Sequence, residues 1–250
     1  MSIYFGAICD EFTVATRLNL KLDLPTNRET VLHFFDRIRR EFPDMDYLRR
    51  RSNEVLVLEQ NPDQPSRMWV RLERACLRFG DINPPDMDRP RRLAAVVLEQ
   101  APYHLTLSDL DIDRLDLSYS FDLDYCGNHD QLVVETLFAD SPLAGFLVGE
   151  HAAHVIECQP CLGVALTGDC EVQACVEVRG RSTTYEASTG QYEPRPLTVV
   201  LSLRRYWVPG CETDLVAAYD RLRDHVGRLA TDLVVPLIVN PLAQAIASRP

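Results

Sequence analysis

Two stretches of strict alternation constrain this chain more than anything else in it. Val14, Thr16, Leu18, Leu20, Leu22 and Leu24 share one parity, and Arg17, Asn19, Lys21 and Asp23 take the other. Leu115, Leu117, Tyr119, Phe121, Leu123 and Tyr125 repeat the pattern, with Asp116, Asp122 and Asp124 facing out. A period of two puts successive side chains on opposite faces of a strand, so both stretches predict half-buried strands. Such strands need an apolar cover on one side only, and the segments between them supply candidates. Pro25 ends the first strand, and Thr26 with Glu29 has the capping-box spacing that starts a helix. Val31, Leu32, Phe35, Ile38 and Phe42 share one face of that helix, which Pro43 closes.

The rest of the first half is read in the same way. Val55 to Leu58 and Met68 to Leu72 predict two strands joined by the turn NPDQPS. Ala75, Leu77 and Phe79 continue in the opposite phase, which demands a bulge or tight turn near Glu73 and Arg74. After NPPDMDRP comes a helix with Leu93, Val96 and Val97 inward. This order predicts an α+β fold: mostly antiparallel sheets with helices packed on one face, in two consecutive α+β halves. The halves span residues 1–126 and 127–250.

In the second half, Leu132 to Phe138 suits strand and helix alike, and Ser141 to Gly149 reads as a short helix. Cys161 to Val178 predicts a hairpin, RSTTYEASTGQYEPRP a polar loop, and Leu197 to Val208 a strand. A long helix begins near Thr213. Its Leu215, Tyr219, Leu222, Val226, Leu229 and Leu233 have heptad spacing, which suits either packing on the sheet or a seam between two copies.

Composition narrows the function classes. The chain is 46% hydrophobic and 25% charged, so a folded core is expected. A net charge of -11 argues against general nucleic-acid binding, which needs a basic surface. Lys21 is the one lysine, and no G-x-x-x-x-G-K-[ST] surrounds it, so Schiff-base and P-loop chemistry find no support. The start, MSIYFGAICDEF, lacks the basic flank and apolar centre of a secretion signal. The longest uncharged run, Leu233 to Ser248, falls short of the ~20 apolar residues of a membrane span and contains Pro236 and Pro241. A cytoplasmic, reducing location is the expectation, with free cysteines and no membrane contact.

One stretch suggests site chemistry. HAAHVIECQPC carries His151, His154, Cys158 and Cys161, followed by Cys170 and Cys175. These are the residue types of a zinc site, which needs four donors around one ion. Extended backbone would hold His154 and Cys158 about 13 Å apart and turn Cys158 and Cys161 to opposite faces. A tight turn at Glu157 to Pro160 is required to gather them. Across the hairpin, Val172, Ala174, Val176 and Val178 form one face, so Cys170 and Cys175 diverge. A three-residue turn at Thr167, Gly168 and Asp169 would place Cys161 directly across from Cys175. A cross-strand thiol pair is therefore the sharper expectation, with inert structural thiols as the plainer one.

Asp122 and Asp124 share a strand face and could hold Mg²⁺ for phosphoryl or nucleotidyl transfer; a solvated face, with Asp130 as a helix cap, is the plainer reading. Asp109, Asp111 and Asp113 imitate a calcium loop, but Arg114 stands where its glycine should be. Arg37, Arg39, Arg40, Arg49, Arg50 and Arg51 form a local basic patch suited to an anion or to the protein's own carboxylates. No G-x-S-x-G, H-E-x-x-H or G-x-G-x-x-G is present.

The run EVLVLEQNPDQPSRMWVRLERACLRFGDINPPDMDRPRRLAAVVLEQ, then RLDLSYSFDLDY and LTVVLSLRRYWV, resembles a sporadically distributed bacterial family of uncharacterised proteins of similar size. The resemblance implies an accessory intracellular protein and carries over no catalytic residue. The resulting expectation is a non-enzymatic interaction module that partners another protein, including a second copy of itself. The alternative is a metal-dependent enzyme using Zn or Mg.

Overall fold

In a computed structural model, residues 5–25, 27–50, 55–147, 154–207 and 214–249 are described. The expected α+β architecture is present, and its strands join into one antiparallel sheet of nine. They are β1 (Glu11–Leu20), β2 (Tyr47–Arg50), β3 (Leu56–Glu59), β4 (Arg67–Glu73), β5 (Cys76–Ile82), β6 (Ile112–Tyr125), β7 (Cys161–Ala165), β8 (Val172–Arg179) and β9 (Arg195–Tyr206). Their spatial order is β2-β3-β4-β5-β1-β6-β9-β8-β7. The two halves of the chain meet along β6 and β9, so the sheet runs through both.

The two alternating stretches are β1 and β6, neighbours in register from Glu11 opposite Asp122 to Leu18 opposite Leu115. Their apolar parity continues across Leu197, Val199, Leu201 and Leu203 of β9, and across Leu77 and Phe79 of β5. Against this face pack the helices α2 (Asp88–His104) and α6 (Leu215–Leu229), with α1 (Arg28–Glu41) beside α2. Phe5, in a short 3₁₀ turn, adds a ring 5.3 Å from Phe12 and 5.7 Å from Phe121. The phase change near Glu73 is a two-residue hairpin: Glu73 pairs with Cys76 around Arg74 and Ala75.

Two contacts fix the first half tightly. At the start of α2, Arg89 Nε donates to Asp81 Oδ2 at 2.7 Å, and the Asp81 side chain is fully buried on β5. Burial pushes that carboxyl up, and the guanidinium opposes the shift. On the other sheet face, Trp69 lies over Gly80 with the Arg71 guanidinium 4.3 Å above its ring. A Cβ at Gly80 would stand 2.6 Å from Val14 O and 2.8 Å from the indole, so this close approach requires glycine.

Several local expectations need correction. The cap of α1 is Asn27, whose side chain accepts from Glu29 N; Thr26 lies outside the described residues. In α1, Phe34 is buried while Leu32 is exposed, and the inward stripe of α2 uses Ala94 and Leu98 rather than Val96. The ambiguous Leu132 segment is a helix, α3 (His129–Leu137), capped by Asn128 and not by Asp130. The helix predicted over 141–149 begins later, as α4 (Ala144–Leu147), and residues 148–149 lie outside the described residues. The polar loop contains a helix, α5 (Thr184–Thr189), closed by a Thr183–Glu186 capping box and a left-handed Gly190.

The prolines do not interrupt the terminal helix. It continues from α6 through a π-wound segment, Ala230–Val239, into α7 (Asn240–Ala247). Asn240 N donates five residues back to Val235 O, the looser bonding of a π turn, which accommodates Pro236 where an α turn would clash. The last turn is pinned to the body: Arg249 Nη1 donates to Tyr125 OH at 2.7 Å and its other nitrogen pairs with Glu135.

Candidate interaction surface

The far margin of the sheet is the β7–β8 hairpin. Its register differs from the expected one by two residues: Cys161 stands opposite Glu177, and Gly163 opposite Cys175. The cause is the loop. Leu166 N donates to Val172 O, so residues 167–171 all lie in the turn, and Cys170 adopts a left-handed φ of 60°. Asp169 Oδ1 accepts from Glu171 N at 3.0 Å, fixing the loop from within. A slip of two keeps every side chain on its face. Cys161 and Cys175 therefore remain on one face, as diagonal neighbours with Sγ atoms 3.4 Å apart.

Among the described residues strand β7 is an outer edge, and all five of its own residues are exposed. Val178 N donates to Pro160 O, and Leu166 N to Val172 O, so even-numbered residues bond inward to β8. By the alternation of an antiparallel ladder, the N–H and C=O groups of Cys161, Gly163 and Ala165 point outward. Leu162 and Val164 stand opposite Val176 and Ala174, on the helix-bearing face, yet they are 64% and 60% exposed. CLGVA contains no charge, no proline and no bulge, the usual guards of an edge.

The terminal helix packs on the same face of the sheet, against β6 and β9. Of the heptad residues, Leu215, Tyr219, Leu222 and Val226 are buried in the chain's own core, so their packing is intramolecular. Leu229 is partly buried, and Leu233 is 48% exposed. Leu237 joins Leu233 outside, at 62%. The helix as a whole, Leu215–Ala247, is long and apolar enough to cross a membrane by length and composition, and most of its apolar stretch is not buried.

A polar cluster anchors the chain on either side of this hairpin. His129, Asp130 and Glu186 are all buried. His129 Nδ1 accepts from Arg181 N at 3.0 Å while Nε2 faces Tyr125 O at 3.3 Å, so both ring nitrogens serve backbone. Burial pushes its pKa down, opposed by the Tyr125 carbonyl, Asp130 and Glu186. Asp130 Oδ1 accepts from Cys158 N at 2.7 Å, fixing the approach to β7. Burial raises this carboxyl and the Cys158 thiol alike. The cluster ties segments together and leaves its histidine no nitrogen for a substrate.

The other sequence candidates are placed as follows. Asp122 and Asp124 share a face at the end of β6, with Asp122 opposite Glu11 and Thr198. Burial and then the Asp122 charge raise the Glu11 carboxyl. Asp124 N donates to Asp10 Oδ2 at 2.7 Å. His154 is exposed, Cys158 packs against the core and Cys161 faces Cys175; His151 lies outside the described residues. Among the described residues, no three His, Cys, Asp or Glu side chains are grouped as ligands of an ion would be. In the arginine patch, Arg37 pairs with Glu41, Arg39 with Asp36 and Arg49 with Glu59, while Arg51 lies outside the described residues. The open edge, Leu162 and Val164 were missed from sequence, although an uncharged strand beside a hairpin turn was their signal. No protein-family model matches the chain, and no curated protein matches it.

Proposed function

We propose that this chain is a non-enzymatic interaction module that self-associates through the β7 edge, with the exposed apolar residues of the terminal helix as a second apolar surface. The observation that carries the reading is the uncharged, fully exposed β7 with its outward backbone groups. Unpaired strand edges are templates for another strand, and natural proteins leave few of them unguarded.

The outward parity selects the register of a second copy. Hydrogen-bonded pairs between copies must join odd residues, and a two-fold axis at Gly163 satisfies this with Gly163 opposite itself. Cys161 then faces Ala165 of the second copy, and Leu162 faces Val164. Both apolar side chains gain a cross-strand partner on the helix-bearing side. No like charges meet, because the strand carries none.

Sedimentation velocity on the wild type and on the Leu162→Lys/Val164→Lys double variant tests this. A wild-type dimer and a folded monomeric variant are expected, with association weakened at least tenfold, about 1.4 kcal/mol. Wild-type monomers at all concentrations would sink the reading, as would a dimer indifferent to the two lysines. Flotation with anionic vesicles is the companion measurement: vesicle binding by a monomer, abolished by Leu233→Lys/Leu237→Lys, would assign the helix face to a membrane instead.

A further inference from the structure

The face of the hairpin opposite Leu162 and Val164 carries the thiol pair. Cys161 is exposed and Cys175 half-buried, with their sulfurs in contact at 3.4 Å. Gly163 stands directly opposite Cys175 and has no side chain, so the Cys175 sulfur has room to lean diagonally toward Cys161. Even a Cβ at Gly163 would meet only Ala174 O, at 3.8 Å. A disulfide needs the sulfurs about 2.05 Å apart, a closure of little more than an ångström. Among the described residues, strand β7 is bonded on one side only, so the lower-cost movement is its own.

The electrostatic setting divides the roles of the sulfurs. Arg179 feels the charge of both thiols and is held by Glu177 at 2.7 Å. Arg204 lies close enough to oppose the upward push that burial, and then Cys161, exert on Cys175. Cys175 therefore keeps its proton while the exposed Cys161 meets solvent. Cys126 and Cys170 are exposed as well, but the contact of Cys126 is the Tyr192 carbonyl, and Cys170 sits at the loop tip.

We propose that Cys161 and Cys175 form a dithiol site that a peroxide closes to an intramolecular disulfide. Cys161, as thiolate, attacks one oxygen of hydrogen peroxide. The S–O bond forms, the O–O bond breaks, and the departing hydroxide takes up the proton that Cys161 released, giving water and a sulfenic acid. The Cys175 sulfur then attacks that sulfur. The S–S bond forms, the S–O bond breaks, and hydroxide leaves with the Cys175 proton as a second water. The two thiols lose two electrons and the peroxide gains them.

The inference goes beyond the interaction reading and stands apart from it, because the sulfurs lie on the other face. In the two-fold register, the Cys161 residues of two copies are four positions apart, about 13 Å along the strands, too far for a bond between copies.

The test treats reduced full-length protein with equimolar hydrogen peroxide, then cleaves it at acidic residues. Cleavage after Glu171 separates Cys161 from Cys175 unless a bond joins them. The expected result is a linked Cys161–Cys175 fragment, two thiols lost among the eight cysteines, and full recovery with dithiothreitol. In Cys175→Ser, Cys161 should stop at a sulfenic acid trapped by dimedone, and the linked fragment should vanish. The Leu162→Lys/Val164→Lys variant should still close the bond, so loss of self-association and loss of thiol chemistry are read separately. A Cys161–Cys161 link, a link through Cys170, or separate oxidation of the exposed thiols with no linked fragment would overturn the proposal.

Discussion

The two margins of the sheet are built to opposite rules. At one end, β2 reads YLRR, and its Arg49 reaches the buried Glu59 on β3. At the other, β7 reads CLGVA and presents only apolar side chains and sulfur. Both strands are fully exposed, so exposure alone does not separate them. Charge does: arginines keep a second strand from docking on β2, whereas β7 has no such guard. The packing behind them differs in the same sense. The β3–β5 flank, with α2 packed on β5, buries Leu58, Val70 and Leu77, while the helix-facing Leu162 and Val164 of β7 stay outside. A net charge of -11 is therefore a poor guide to how this surface meets others, because charge is absent where an edge is open.

The largest effect expected from this contrast lies in the sealed flank. Asp81→Ala leaves the Arg89 guanidinium without its buried partner and should cost about 3–5 kcal/mol in urea unfolding. A loss under about 1 kcal/mol would show that the flank is not closed around that pair. Next, one substitution can be set inside the sealed flank and at the open edge, on the same sheet face. Leu77→Ala should lose about 2–5 kcal/mol, since that residue is fully buried. Leu162→Ala should stay within about 0.5 kcal/mol when measured on monomer. Equal losses would erase the distinction between the flanks.

The smallest effect concerns acid. His129 has its pKa lowered from 6.5 by burial, so below 6.5 the unfolded chain binds a proton that the folded chain refuses. Its contribution is present above 6.5 and is lost as pH falls from there toward the folded value. Asp130, raised from 3.8 by burial, works in the opposite direction, and from a lower pH. Glu186 and Arg195 face the same ring and remain charged through this range. Urea midpoints at pH 7.5 and 5.5 should therefore drop less in His129→Gln than in the wild type. An identical drop would place the acid sensitivity elsewhere than at this anchor.

The parity of the strands was legible in the sequence, and much of the fold follows from it. Alternation identified β1 and β6, and the phase change at Glu73 located a hairpin that the structure closes in two residues. It also put Cys161 and Cys175 on one face before their register was known, because a slip of two leaves parity intact. What parity could not supply was loop length. Cys170 takes a left-handed φ that non-glycine residues adopt rarely, and that lengthens the turn. The passage of the helix through Pro236 depends on π winding, which no local spacing announces. Two signals were present but outweighed by their surroundings: Thr183 with Glu186, and Gly190, bracket α5 inside a polar stretch. The heptad was real, but spacing does not tell whether the opposing surface belongs to the same chain. For Leu215, Tyr219, Leu222 and Val226 it does.

The position of β1 has a bearing on synthesis. It leaves the ribosome before either of its partners, β5 and β6, which end at Ile82 and Tyr125. At ~5–20 residues per second, Phe12, Val14 and Leu18 must wait on the order of 5–20 s for the second of them. Strand β9 faces no such delay, since it emerges when β6 is already in place to receive it. The nascent chain is thus vulnerable to aggregation over the interval in which its central strand has been made and its neighbours have not.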